Sequence, residues 1–137
     1  MIRPNRSPLA QQLGLIRGQR VWFHSMPEEL RRAIDVDSAQ VEEQPTATDG
    51  LQLALLFASD RERLRRQICA TAPLLQEKGA IWIVWRKEDG AGDNSVDAGT
   101  VRELAEQAGL FLIDLCPLDD RWAGAKLAPR PLRRAGE

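Results

Sequence analysis

Two short segments of this sequence are apolar at nearly every position, and they restrict the fold more than any other feature. Residues 51–58 read Leu-Gln-Leu-Ala-Leu-Leu-Phe-Ala, and residues 80–85 read Ala-Ile-Trp-Ile-Val-Trp. A strand with one face in water alternates apolar and polar residues, whereas a strand covered on both faces is apolar throughout. Both segments are also short for helices and rich in strand-forming residues. They therefore predict two central strands of a parallel sheet.

The segment between these two strands has the pattern of an amphipathic helix. Ser59-Asp60-Arg61-Glu62 reads as a capping box, with Ser59 as the cap and Glu62 three residues later. Leu64, Ile68, Ala72 and Leu75 follow at helical spacing. Pro73 removes a backbone donor and crowds the preceding turn, so we expect it to kink or split the helix. The pattern predicts a helix that ends at Gly79.

Helices and strands alternate along the rest of the chain. Helices are expected at 8–13, 27–34 (capped by Ser25) and 98–108, and strands at 20–24, 39–43 and 110–115, with 122–127 returning as an antiparallel edge strand. This order predicts an α/β fold, a three-layer Rossmann-like sheet that is mostly parallel and carries a C-terminal antiparallel hairpin. We expect one domain over residues 1–128 and a basic, flexible tail over residues 129–137.

Composition limits the class of protein further. A chain of 137 residues with 43% hydrophobic content and a net charge of -1 suits one compact domain. No apolar run reaches the roughly 18 to 20 residues of a membrane span. Cys69 and Cys116 match no metal or redox spacing, and His24 is the only histidine, so no metal site is expected. Reduced thiols and the lack of a signal-peptide pattern predict a cytoplasmic protein.

The charge is unevenly distributed. Residues 1–20 carry four arginines and no acid, and residues 121–137 carry five cations against one acid, so the middle of the chain is acidic. Basic ends are able to steer an anionic partner, which leaves nucleic-acid binding open as an alternative. Solvated tails explain the same distribution. The cluster Arg61, Arg63, Arg65 and Arg66 is interpreted as the solvated face of a helix, since no aromatic residues accompany it.

The loop after the first predicted strand argues against a nucleotide cradle. It reads His24-Ser25-Met26-Pro27-Glu28-Glu29 and contains no glycine. A phosphate cradle needs glycines so that backbone N–H groups approach the ligand, and two carboxylates at a helix N-terminus repel an anion. If a nucleoside cofactor binds, Glu43 is placed to hold ribose hydroxyls, with Ser59 and Asp60 near the cofactor. His24 lacks an orienting partner and is interpreted as structural.

Two aromatic and cationic groups are the best candidates for a binding surface. Trp85, Arg86 and Lys87 leave the second central strand at the edge where open α/β sheets bind ligands. Trp stacks on planar groups, and cationic side chains bind carboxylate or phosphate. A core tryptophan followed by solvated cations gives the same pattern. The second group, Arg121, Trp122 and Lys126, lies in the terminal hairpin.

Five segments together resemble a bacterial family of short Rossmann-like domains of unknown function. They read Leu-Gly-Leu-Ile-Arg-Gly-Gln-Arg-Val at 13–21, Leu-Ala-Leu-Leu-Phe at 53–57, Gly-Ala-Ile-Trp-Ile-Val-Trp-Arg-Lys at 79–87, Val-Arg-Glu-Leu at 101–104 before Gly109-Leu110, and Asp-Arg-Trp-Ala-Gly-Ala-Lys-Leu at 120–127. The resemblance covers residues 9–128. The family is similar to trimmed class I S-adenosylmethionine-dependent methyltransferases, which implies that fold but carries over no catalytic residue. The glycine-rich cofactor loop is missing here, and the chain leaves little length for a substrate lid.

These observations favour one function over two alternatives. The leading hypothesis is a cytoplasmic bacterial module that is non-catalytic, uses no cofactor, and binds a protein or small-molecule partner. The first alternative is an S-adenosylmethionine-dependent methyltransferase with an atypical cofactor loop. The second is nucleic-acid binding through the basic ends.

Overall fold

The computed structural model describes residues 8–36, 40–46, 49–86, 96–118 and 121–129. Along these ranges the chain forms α1 (Pro8–Leu13), β1 (Arg20–His24), α2 (Glu28–Ile34), β2 (Glu42–Gln44), β3 (Leu51–Ala58), α3 (Arg61–Thr71), β4 (Leu75–Arg86), α4 (Ala98–Gln107), β5 (Leu110–Pro117) and β6 (Trp122–Pro129). The alternation predicted from the sequence is confirmed. Strand β2 is displaced toward Gln44 from the expected 39–43, and part of that expected range lies outside the described residues.

The strands form one sheet in the order β2-β1-β3-β4-β6-β5. Strands β2, β1, β3 and β4 pair in parallel, and β6 pairs antiparallel with both β4 and β5. The fold class is therefore as predicted. The expectation that residues 122–127 form an edge strand is wrong, because β6 lies between two strands and β5 takes the edge. The burial of Trp122, Ala125 and Leu127 explains this interior position.

Helices cover both faces of the sheet, which gives three layers. On one face, Leu64 and Ile68 of α3 and Leu104 of α4 pack with Ile81 and Ile83 of β4. On the other face, α1 and α2 pack against Val21, Leu53, Leu55 and Trp82. The Trp82 indole also donates from Nε1 to the carbonyl of Leu13 at 2.8 Å. None of the helices in the described ranges is long and apolar enough to cross a bilayer.

The segment after α3 differs from the sequence-based expectation. The helix ends at Thr71, a 3₁₀ turn spans Ala72–Leu74, and β4 already begins at Leu75. The predicted helix to Gly79 is therefore wrong. The helix is interrupted at Pro73, as expected, but it does not resume after the 3₁₀ turn, and Leu75 pairs with Leu51 of β3. Tertiary pairing outweighs the helical propensity of residues 75–78.

Two predicted helix caps are also wrong. Asp60 is the cap of α3, and its carboxylate accepts the backbone N–H of Arg63 at 2.8 Å, so Ser59 does not have this role. Pro27 is the cap residue of α2 and makes no side-chain capping bond, so Ser25 does not cap that helix. Both serines are consequently left outside the helices, at the ends of β1 and β3.

Candidate functional site

The main candidate site is a cavity of about 200 Å³ at the carboxyl ends of β1, β3 and β4. Open α/β sheets bind ligands at this edge. The lining side chains come from these strands, from α3, from the first residue of β6 and from the loop after β1: His24, Ser25, Pro27, Leu56, Phe57, Ala58, Ser59, Asp60, Arg63, Leu64, Gln67, Arg86 and Trp122. The wall near the sheet is apolar, whereas most polar groups lie on the surrounding loops and helix.

Arg86 and Trp122 form one wall of the cavity. They are register partners on β4 and β6, and the Arg86 guanidinium carbon lies 5.5 Å from the centroid of the Trp122 ring. Phe57 contacts the same indole edge-on, with centroids 6.5 Å apart. The sequence assigned Arg86 and Trp122 to two separate surfaces, and the antiparallel pairing of their strands brings them together. The result is a cation beside an aromatic ring in the wall of a pocket that combines apolar and polar side chains.

The N-terminal turn of α3 supplies a second cation. Arg63 lines the cavity from the first turn of the helix, beside the capping Asp60. Within the described ranges, the ion pairs leave both Arg63 and Arg86 without a carboxylate partner. The neighbouring Arg61 and Arg65 pair with Glu103 and Glu62. Part of the predicted solvated arginine face therefore belongs to the cavity.

The loop after β1 closes the other side of the cavity. Ser25 has a φ of 59°, in the left-handed region that glycine adopts without strain. Pro27 follows and offers no backbone donor. The His24 ring lies against Trp22, with centroids 5.1 Å apart. Burial lowers the pKa of His24 below its usual 6.5, and the nearby Arg63 cation lowers this pKa further, so its imidazole is neutral at pH 7.

Glu43 lies away from the cavity, in β2. Its carboxylate is 2.5 Å from Nη2 of Arg31, and this guanidinium also lies 5.7 Å from the ring centroid of Phe23. The acid that the sequence analysis offered for ribose hydroxyls is therefore paired with a cation of α2. Of the three proposed cofactor residues, Ser59 and Asp60 line the cavity, and Glu43 does not.

The other residues of the two predicted binding surfaces are dispersed. Trp85 is only 5% exposed and packs in the core on the face opposite Arg86. Arg121 is exposed and lies 3.6 Å from the Glu29 carboxylate. Lys126 is half-buried in β6, in register with Trp82 and Asp114 and away from the cavity lining. Lys87 lies outside the described residues, as do residues 1–7 and 130–137 of the basic ends.

Sequence reasoning missed several residues of the site. Ser25, Phe57, Arg63 and Gln67 line the cavity and were not proposed, and His24 was interpreted as structural. Their common signal is position, since each belongs to or directly follows the carboxyl end of β1 or β3, or lies in the first two turns of α3. Reading all residues at those positions, rather than searching for catalytic motifs, would have found them.

Several solved structures share this fold at low sequence identity. A TehB-like S-adenosylmethionine-dependent methyltransferase from Corynebacterium glutamicum is 11% identical, with a TM-score of 0.59 over 90% of this chain and 88% of that one. LepI in complex with SAM is 14% identical, with a TM-score of 0.57. The Methanococcus jannaschii fibrillarin pre-rRNA processing protein is 11% identical, with a TM-score of 0.54 over 91% of this chain and 75% of that one. Such likeness shows a methyltransferase-like fold.

The chain covers only part of some of these proteins. The alignment with LepI includes 91% of this chain but 47% of LepI, so this chain spans about half the length of that protein. A comparison with curated proteins finds no match. A family profile matches residues 10–131, which is most of the sequence. The chain therefore belongs to the family described as "Protein of unknown function (DUF3052)".

Proposed function

We propose that this protein is a cytoplasmic, non-catalytic bacterial module that binds a small molecule in the cavity at the carboxyl ends of β1, β3 and β4. The observation that carries the proposal is the Arg86 guanidinium beside the Trp122 ring in the wall of a pocket that combines apolar and polar side chains. Concave pockets that combine apolar side chains with convergent polar groups are typical of small-molecule sites. The methyltransferase-like fold supplies the scaffold, and the pocket lies at the carboxyl edge of its sheet.

The surroundings of β1 support a module that does not use S-adenosylmethionine. Open α/β folds hold nucleoside cofactors with a glycine-containing turn after the first strand and an acid after the second. Here the turn contains Ser25 and Pro27, and α2 begins with Glu28 and Glu29. Glu43, the acid that would hold the ribose hydroxyls, is already paired with Arg31. One oxygen of this carboxylate is therefore already used by Arg31.

Calorimetry with S-adenosylmethionine and S-adenosylhomocysteine tests the non-catalytic part of the proposal. We expect no heat of binding at millimolar concentrations of either compound. Binding of either one would overturn this part and favour the methyltransferase alternative, in which Ser59 and Asp60 lie near the cofactor. A loss of that affinity in a Glu43→Gln variant would locate the cofactor ribose beside β2.

A panel of small anionic, neutral and cationic compounds tests the binding part. We expect at least one compound to raise the melting temperature, and a Ser59→Trp variant to abolish that shift by filling the cavity from its exposed rim. Lys78→Trp, on an exposed position of β4 outside the cavity, is the matched control. Failure of every compound, together with a salt-sensitive gel shift of DNA or RNA, would favour the nucleic-acid alternative.

A further inference from the structure

We infer that the ligand of this cavity is a small carboxylate with an apolar body of about one ring. The inference rests on the proposed function, because it specifies the ligand of the same site. Four features of the cavity lead to it: the sign of its charge, the way Arg86 is held, the position of Asp60, and the size of its apolar part.

The charged groups of the lining favour an anion. Two guanidinium groups, of Arg63 and Arg86, face a single carboxylate, that of Asp60. His24 is neutral at pH 7 and adds an imidazole that can form hydrogen bonds. The cavity thus has a positive charge within a chain whose central part is acidic. Two cations on one pocket lower the energy of an anionic ligand and raise that of a cationic one.

The geometry of Arg86 favours a carboxylate among anions. The guanidinium carbon lies 5.5 Å from the centroid of the Trp122 ring, and none of the ion pairs among the described residues involves this arginine. A planar guanidinium donates two parallel N–H bonds that match the two oxygens of a carboxylate. The Trp122 ring, itself only 5% exposed, restricts the arginine side chain before the ligand arrives. Less conformational entropy is then lost on binding.

Asp60 argues against a phosphate dianion. Phosphate groups at helix N-termini depend on backbone N–H groups that have no other acceptor. At α3 the Asp60 side chain already accepts the N–H of Arg63 at 2.8 Å. The same carboxylate lines the cavity and offsets one of the two arginine charges, so one negative charge on a ligand balances the lining, whereas a dianion leaves one negative charge uncompensated. A singly charged ligand therefore fits these groups better than a doubly charged one.

The apolar part of the cavity sets the size of the ligand. Leu56, Phe57 and Leu64 line this part, and the whole cavity, with its polar groups, has a volume of about 200 Å³. An apolar cavity of about 150 Å³ in another protein holds benzene. The additional space accommodates one carboxylate group between the ring and the arginines.

Titration calorimetry with matched single-ring compounds tests this inference. Benzoate and cyclohexanecarboxylate are the carboxylates, benzamide is the neutral isostere of benzoate, and phenyl phosphate is the dianion. We expect both carboxylates to bind and benzamide to bind about 10- to 100-fold more weakly, since hydrogen bonds to a charged group are lost. Phenyl phosphate should also bind more weakly than benzoate.

Substitutions of the two arginines then test whether each of them binds the carboxylate of the ligand. Arg86→Gln and, separately, Arg63→Gln should each weaken benzoate binding about 10-fold or more and leave benzamide binding unchanged. Arg63 is exposed on α3, so its variant is expected to fold even where the Arg86 variant is destabilised. Arg121 is exposed and lies outside the cavity, so the Arg121→Gln variant should bind benzoate with the affinity of the unchanged protein.

The outcomes separate this inference from the proposed function. Suppose that benzamide and benzoate bind with equal affinity and that Ser59→Trp abolishes the binding of both. This result would overturn the inference of a carboxylate ligand and would leave the proposed small-molecule binding intact. Tighter binding of phenyl phosphate than of benzoate would do the same. If none of the four compounds binds while another member of the wider panel does, the ligand class is wrong. If nothing in either set binds, the proposed function itself is overturned.

Discussion

Asp60 and Ser59 are adjacent residues with separate roles. The Asp60 carboxylate accepts the Arg63 N–H and satisfies a donor in the first turn of α3, whereas Ser59 lies exposed at the cavity rim. We expect Asp60→Ala to lower the free energy of unfolding by about 1 kcal/mol, because that donor loses its acceptor. Ser59→Ala should change it by less than about 0.5 kcal/mol. Urea denaturation of both variants measures the difference, and the reverse order would restore Ser59 as the cap.

His24 makes the stability of the protein depend on pH. Burial and then Arg63 lower its pKa below 6.5, so the unfolded chain takes up a proton at a higher pH than the folded one. The free energy of unfolding must therefore fall as pH decreases through 6.5 toward the lowered pKa of the folded state. His24→Asn should lose less stability than the unchanged protein between neutral pH and the lowered pKa.

Urea denaturation at a series of pH values measures this effect. The chain has one histidine, so the difference between the two proteins isolates the contribution of His24. Identical pH dependence in both proteins would show that His24 has the same pKa folded and unfolded. Below the lowered pKa the two curves should become parallel, because both states then carry the proton.

At the scale of elements, β4 depends on a glycine at its irregular start. A Cβ at Gly79 would lie 2.8 Å from the carbonyl oxygen of Leu51 and 3.0 Å from that of Gln76. Both atoms are backbone and cannot move independently of the β3–β4 pairing. We expect Gly79→Ala to destabilise the protein by about 1 to 3 kcal/mol through this overlap.

Gly99 offers the matched control for Gly79. It lies in α4, and a Cβ there would be 3.5 Å from the Asp97 carboxylate, which is ordinary contact. Gly99→Ala should leave the protein unchanged or stabilise it by up to about 1 kcal/mol, because alanine is the better helix former. Thermal unfolding of the two variants gives the comparison. Equal effects at both positions would contradict the close approach at Gly79.

The elements differ in how far the sequence determines them. Residues 51–58 are apolar on both faces, and this local pattern was sufficient to predict β3 with its exact bounds. Residues 75–78 are strand because Leu75 pairs with Leu51, a contact between distant parts of the chain. The interior position of β6 also depends on pairing with strands far away. Local patterns predicted the elements, and long-range pairing determined where some of them begin and which neighbours they have.

The same distinction applies to the candidate site. Arg86 and Trp122 were identified as binding residues by type and position, and each stands in the cavity lining. Their mutual contact follows from the register of β4 with β6, which no local pattern contains. Trp85 is next to Arg86 in the sequence, but it points to the opposite face of the sheet, where it is buried. Adjacent residues of a strand therefore should not be assigned to one surface.

At the scale of the whole molecule, β6 holds the second half of the sheet together. It pairs with β4 over Ile81–Arg86 and with β5 over nearly its full length. A chain ending at residue 121 lacks this strand, so β4 and β5 lose their shared partner. We expect that chain to unfold without cooperativity, whereas a chain ending at Pro129 keeps a melting temperature within a few degrees of the full sequence. A cooperative transition at the original temperature in the shorter chain would contradict this role.

The position of β6 also has a consequence for synthesis on the ribosome. Translation delivers β4 and β5 before β6, the strand that separates them, so each of these two strands has an unpaired edge until β6 is available. Unpaired edges are where chains join wrongly or chaperones bind. The sheet is completed by an insertion into its interior rather than by addition at its rim. Among the described strands β6 is translated last, and its pairing removes both unpaired edges at once.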